Sequence, residues 1–144
     1  MKTTLLGLTL ALSSSLALAQ ATPVGLWKTI DDKTGKERTL VRITETGGTL
    51  TGVIEKRLDP AAVADAKCDK CADDRKDKPI QGLDIIRGAK KDGETWDGGT
   101  ILNPEEGKVY KLRLTLADGG KKLEVRGFIG APLLGRTQVW QRVE

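Results

Sequence analysis

Val109-Tyr110-Lys111-Leu112-Arg113-Leu114-Thr115-Leu116 sets Tyr110, Leu112, Leu114 and Leu116 on one side of an extended chain, and Lys111, Arg113 and Thr115 on the other. That period of two is the signature of a half-buried β-strand. Ala117-Asp118-Gly119-Gly120 follows as a hairpin turn, and Leu123-Glu124-Val125-Arg126 resumes the alternation. Upstream, residues 38–44 and 50–54 pair around Thr46-Gly47-Gly48, and Asp32-Lys33-Thr34-Gly35 turns Gly25–Ile30 into the first of them. Residues 95–102 and 137–143 complete the set, with 85–90 a weaker candidate. Seven or eight short strands, separated by turns every 8–12 residues or so, predict an all-β sandwich or barrel of mostly antiparallel strands.

One long connection, residues 59–79, interrupts the strands. Asp59 is placed to cap a short helical turn that begins at Pro60 and runs through Ala61-Ala62-Val63-Ala64. The same connection carries Cys68-Asp69-Lys70-Cys71, the sharpest local motif. A disulfide, a redox pair and half of a zinc site are the three readings of such a pair. A zinc site needs two more ligands, and with no histidine in the chain these would be carboxylates or come from a second chain. The charges around the thiols are balanced, with Asp69, Asp73 and Asp74 against Lys67, Lys70 and Arg75, so they do not select a reactive thiolate. A structural disulfide needs only an oxidising compartment. In so short a loop it contributes about 2 kcal/mol.

That compartment is suggested by the N-terminus. Lys2 is followed by an apolar stretch over about residues 5–18 and by the small-residue exits Ala17-Leu18-Ala19 and Ala19-Gln20-Ala21. These are the three parts of a secretory signal peptide spanning residues 1–21, cleaved after Ala19 or Ala21. The apolar run is broken by Ser13-Ser14-Ser15 and is shorter than the roughly 20 residues a spanning helix needs. The expectation is a periplasmic or secreted protein with no transmembrane segment, whose residues 22–144 form a single domain.

The absences narrow the chemistry. Without histidine there is no Ser-His-Asp or Cys-His triad. Aromatic residues amount to 3%, with Trp27, Trp96, Tyr110, Phe128 and Trp140 the full set. The net charge of +4, one less without Lys2, is spread as alternating signs along the chain. Nucleic-acid binders concentrate basic residues on one face and interleave aromatics, and this chain does neither. The paired carboxylates Asp31-Asp32, Asp73-Asp74 and Glu105-Glu106 read as solvated turns. No catalytic residue, metal site or cofactor motif stands out, and an enzyme here would have to use carboxylate, Lys or Tyr chemistry. Trp96-Asp97-Gly98-Gly99 reads as a strand with a glycine bulge. The apolar segment at residues 128–134 reads as a loop tucked into the core, with a lid or partner patch as the alternative.

Gly25-x-Trp27 opens the first strand, and Trp140-x-Arg142 closes the last. Between them lie Cys68-x-x-Cys71, Pro79-Ile80-x-Gly82-Leu83 and Trp96-x-Gly98-Gly99-x-Ile101-x-x-Pro104, in that order. Gly107-Lys108-x-Tyr110, Arg126-Gly127-Phe128-Ile129-Gly130 and Leu134-Gly135-Arg136-Thr137 follow. This series resembles the bacterial exported family known as domain of unknown function 2147, over essentially all of the chain beyond the leader. The resemblance implies an up-and-down lipocalin-like or calycin-like barrel of about eight strands, in which Trp27 packs beneath Arg142. It implies no activity. Two functions are then expected of such a barrel. It binds a small apolar or amphipathic ligand in an interior lined by residues such as Val41, Ile43, Leu112 and Leu114, or it is filled and uses its loops to contact an envelope protein partner.

Overall fold

Alternating side chains give eight strands in the computed structural model, which describes residues 22–144 together with Gly7. The rest of the expected leader over residues 1–21 lies outside the described residues. The strands are β1 Gly25–Ile30, β2 Glu37–Thr46, β3 Thr49–Arg57 and β4 Asp84–Asp92, then β5 Thr95–Asn103, β6 Lys108–Ala117, β7 Lys122–Phe128 and β8 Arg136–Arg142. Each runs antiparallel to the next, and β8 returns to β1, so the sheet closes into a barrel. Closure removes the exposed strand edges that an open sheet would present. The Gly47-Gly48 turn shows why the β2–β3 hairpin forms there, since both glycines take positive φ.

Register decides which residues meet inside. Trp27 sits opposite Val41, Gly52 opposite Ile43, Ile101 opposite Tyr110, Leu112 opposite Gly127 and Leu123 opposite Trp140. Trp27, Val41, Ile43, Leu50, Ile86, Leu112, Leu114 and Leu123 are each no more than 1% exposed and fill one half of the barrel. Val41, Ile43, Leu112 and Leu114 therefore belong to a solid core, not to the lining of a cavity. The β5 bulge falls at Trp96/Gly99, as its glycines suggest. A Cβ at Gly99 would lie 2.5 Å from the Arg87 carbonyl oxygen, so the neighbouring strand approaches as closely as it does because that residue has no side chain.

Two expectations about connections are corrected. Asp59 does accept hydrogen bonds from the Ala61 and Ala62 amides, through its carboxylate and its carbonyl, but the chain then leaves the turn and no helix forms. Val63 is 63% exposed, so there is no packed face to sustain one. The 3₁₀ turns lie instead at Asp118–Gly120 and Pro132–Leu134. The second of these belongs to the apolar loop, which does not tuck into the core. Phe128 is buried, whereas Ile129, Leu133 and Leu134 are 66%, 91% and 77% exposed.

The β1–β8 ladder is the shortest, with Trp27–Arg142 and Lys28–Gln141 in register. It is continued at the closed end by backbone hydrogen bonds from Leu26 to the Glu144 carbonyl and from Val143 to the Leu26 carbonyl, both 2.8 Å. At that end it is also held by side chains. The Arg142 guanidinium lies 4.3 Å from the centre of the Trp27 ring. It donates to the carbonyls of Gly120 at 2.7 Å, Val24 at 2.9 Å and Thr22 at 2.7 Å. Trp27 Nε1 donates to the Pro23 carbonyl at 2.7 Å. No carboxylate pairs with Arg142 among the described residues, so backbone dipoles and the indole face solvate its charge. Burial lowers its pKa from the ordinary arginine value, yet a guanidinium remains cationic in proteins. Gly25 takes φ +145°, and a Cβ there would collide with the Glu144 carbonyl and with Arg142. Arg142→Lys keeps the charge but loses the planar fork. It is expected to cost about 1.5–3 kcal/mol in urea unfolding, with Trp27→Ala costing about 3–5 kcal/mol.

Candidate functional site

In an up-and-down barrel successive turns alternate between ends, so the β1–β2, β3–β4, β5–β6 and β7–β8 connections share one end. At that end the core stops short and leaves a cavity of about 380 Å³. Its walls and floor include Ile54, Ile101, Tyr110, Val125, Phe128 and Trp140. Two polar features sit among them. The Thr29 and Thr39 hydroxyls are 2.7 Å apart, and Gln138 Oε1 accepts from Trp140 Nε1 at 3.2 Å. Gly127 lines the wall without filling it, and its nearest neighbours would meet a Cβ at ordinary contact distances.

Charged residues surround the mouth. Arg38 pairs with Glu105 and lies 3.6 Å from Asp31, while Arg136 pairs with Asp32. The Tyr110 hydroxyl donates to Glu106 at 2.8 Å. Its phenol pKa is raised, chiefly by that hydrogen bond, so the proton stays on Tyr110. The Asp31 carboxyl is held below its usual range by the backbone amides of Thr34 and Lys33, which donate to it across the turn. These residues come from three separate turns, and their spacing in sequence does not reveal that they converge. The signal that could have found them is the alternation of hairpin ends, which brings Asp31-Asp32 and Glu105-Glu106 to the same rim.

Beside the mouth stands the apolar β7–β8 loop. Arg126 anchors it, donating to the Pro132 carbonyl at 2.6 Å and to Thr137 Oγ1 at 2.7 Å. Gly135 lets it fold back, because a Cβ there would strike Gly127 and Phe128. The outer wall carries a second groove, bounded by Arg42, Val53, Glu55 and Gln81. It is open to solvent, and Arg42 is already committed to Glu55 and Glu144.

The singled-out residues fall into different places. Trp140 reaches the cavity floor, whereas Gly25, Trp27 and Arg142 form the closed end and touch no part of the cavity. Cys68 and Cys71 are joined by a disulfide with Cα atoms 5.4 Å apart, and both are buried. Burial of this kind shields the pair from the thiolate attack that redox exchange needs. The disulfide buttresses the rim. The Cys68 sulfur lies 3.7 Å from the Pro104 carbonyl oxygen, and Lys70 packs so tightly on Gly107 that a Cβ there has no room.

A family model described as "Uncharacterized protein conserved in bacteria (DUF2147)" matches residues 25–142. The chain belongs to this family. Among solved structures, protein HP1028 of Helicobacter pylori, described as belonging to the lipocalin family, superposes with a TM-score of 0.71 at 19% identity. The match covers 84% of this chain and 82% of that one. It establishes the lipocalin-like fold of this DUF2147 member. No curated protein sequence matches it. No helix among the described residues is long and apolar enough to cross a membrane.

The connection that supports the rim has its own charge lock. Arg75 is 1% exposed and donates to the Asp73 carboxylate at 2.6 Å and to the Asp84 carbonyl at 2.9 Å. The Arg75 side chain, by hydrogen bonding, lowers the Asp73 pKa to about 2. A carboxylate depressed in the folded state stabilises the fold above its unfolded pKa, near 4, and that stabilisation disappears as pH falls toward 2. Melting temperature measured from pH 5 to pH 2 is therefore expected to fall in that window, and Asp73→Asn is expected to flatten part of the fall.

Proposed function

We propose that this protein is an exported binding protein that holds a small amphipathic molecule in the open half of its barrel, within the cell envelope. The cavity carries the reading. Its volume lies at the lower end of ligand sites, about 300–1,000 Å³, and its lining joins apolar surface to polar surface of nearly equal extent, as an amphipathic occupant requires. The apolar part of the ligand lies against Ile54, Ile101, Val125 and Trp140, and its polar part faces the charged mouth. The same barrel is solid below Trp140, so the ligand is short or enters only partway.

Export is supported by the leader-like residues 1–21 and is consistent with the disulfide. Intact mass and N-terminal sequencing of protein recovered from the producing cell are expected to show a chain beginning at Gln20 or Thr22. A chain that retains Met1 would remove the export part of the proposal.

A second reading rests on Ile129, Leu133 and Leu134, whose exposure suits contact with an envelope protein partner. One experiment separates the two. The fluorescence of N-phenyl-1-naphthylamine reports apolar cavities, and its uptake by the purified barrel is expected to be saturable. Gly127→Val places two methyl groups in the cavity from a strand position with ordinary φ. It is expected to weaken uptake about tenfold or more while leaving the circular dichroism spectrum unchanged. If the wild-type protein takes up no probe, while a photo-crosslinker at position 133 traps one envelope protein in cells, the second reading replaces the first.

A further inference from the structure

The charge balance at the mouth points to the kind of head group it accepts. The guanidiniums that line the cavity are already engaged, Arg38 by Glu105 and Asp31, and Arg136 by Asp32. An anionic head group would have to displace a carboxylate from one of them. Glu106 also lines the cavity; its hydrogen-bond partner is the neutral Tyr110 hydroxyl, and Arg136, already paired with Asp32, is the cation that faces both it and Asp31. Asp31 is satisfied mainly by backbone amides. Lining carboxylates thus outnumber lining cations, with Asp31, Glu105 and Glu106 against Arg38 and Arg136. Lys33 and Lys36 sit on the adjoining turn but are exposed and line no part of the cavity. Tyr110 and Phe128 add aromatic surface near the same opening, which favours an ammonium and not a carboxylate.

We infer that the ligand is a cationic amphiphile, an aliphatic amine or quaternary ammonium whose hydrocarbon enters the cavity while its charged head rests between Glu106 and Asp31. This rests on the binding-protein reading and deepens it by naming the ligand class. The apolar depth supplies most of the affinity, and the rim supplies discrimination by charge, as is usual where a polar group fixes orientation at the edge of an apolar site.

The test compares three single-chain probes of equal length below their micelle concentrations: dodecyltrimethylammonium, dodecanoate and 1-dodecanol. Displacement of N-phenyl-1-naphthylamine gives their affinities at low and high salt. The cation is expected to bind about three- to fivefold tighter than the alcohol, the advantage of one exposed charge pair, and the anion weaker than the alcohol. Added salt shrinks the difference. Glu106→Gln and Asp31→Asn are each expected to lower the cation-to-alcohol affinity ratio. The inference is overturned if dodecanoate binds as tightly as the cation, or if the ratio is the same in both variants. Binding of the alcohol with no preference for the cation leaves the binding-protein reading standing and removes this inference. Failure of all three probes overturns both.

Discussion

A closed barrel must join its last strand to its first, and here that short join is reinforced by one planar cation over one indole. The β1–β8 ladder has two residue pairs, extended only by the backbone hydrogen bonds of Leu26 with Val143 and Glu144. Arg142 compensates by tying three stretches of backbone together, at Thr22, Val24 and Gly120, while lying over Trp27. Without these contacts the carbonyls it satisfies would be left to find other partners near the core, a cost comparable to several ordinary hydrogen bonds. The arrangement also dictates the polarity of the molecule. Bulk is spent at the end where Trp27 lies, and the opposite end is left with space.

Much of this architecture was legible in the sequence because it rests on local pattern. Tyr110, Leu112, Leu114 and Leu116 alternate with polar residues, and paired glycines mark turns, so most strands could be read directly, with residues 85–90 the weakest. Closure into an up-and-down barrel came instead from the family resemblance. Trp27 and Arg142 lie more than a hundred positions apart, and only the family resemblance brings them together. The rim was not legible. Asp31, Glu105 and Glu106 read as solvated turns, Arg38 as the first residue of a strand, and Arg136 as one position of the family motif. Their meaning comes from closure, which no local rule encodes. The apolar loop misled for a related reason. Ile129, Leu133 and Leu134 are hydrophobic enough for a core, but Pro132 and the glycines around them fold the chain back over β7 and turn those side chains outward. The short helix expected after Asp59 failed because a cap and a proline can start a turn but cannot supply a surface to pack against.

The rim itself shows how a small protein can keep an opening without leaving it loose. Individual surface ion pairs contribute little. Here they bridge different turns, β1–β2 to β5–β6 through Arg38 and β1–β2 to β8 through Arg136. Behind them the disulfide sets the long connection against the β5–β6 turn, and buried Arg75, paired with exposed Asp73, ties it to β4 through the Asp84 carbonyl. The opening is therefore framed by charge, while the space it leads to mixes hydrocarbon from Ile54, Ile101 and Val125 with the polar groups of Thr29, Thr39 and Gln138. That division suits a site that must hold one end of a molecule dry and the other wet.

The two-pair seam has a mechanical consequence. Beyond Lys28 and Gln141, toward the mouth, the facing edges of Thr29–Ile30 and Val139–Trp140 share no ladder pairing. A cooper's barrel is hooped to keep every stave in place. This one is hooped firmly at its base and has a slit between two staves at its lip. Widening that slit breaks no ladder bond, only the Arg136–Asp32 bridge that spans it. At the lip the first and last staves are tied by side chains in place of a ladder, so the open half has fewer backbone ties than the base.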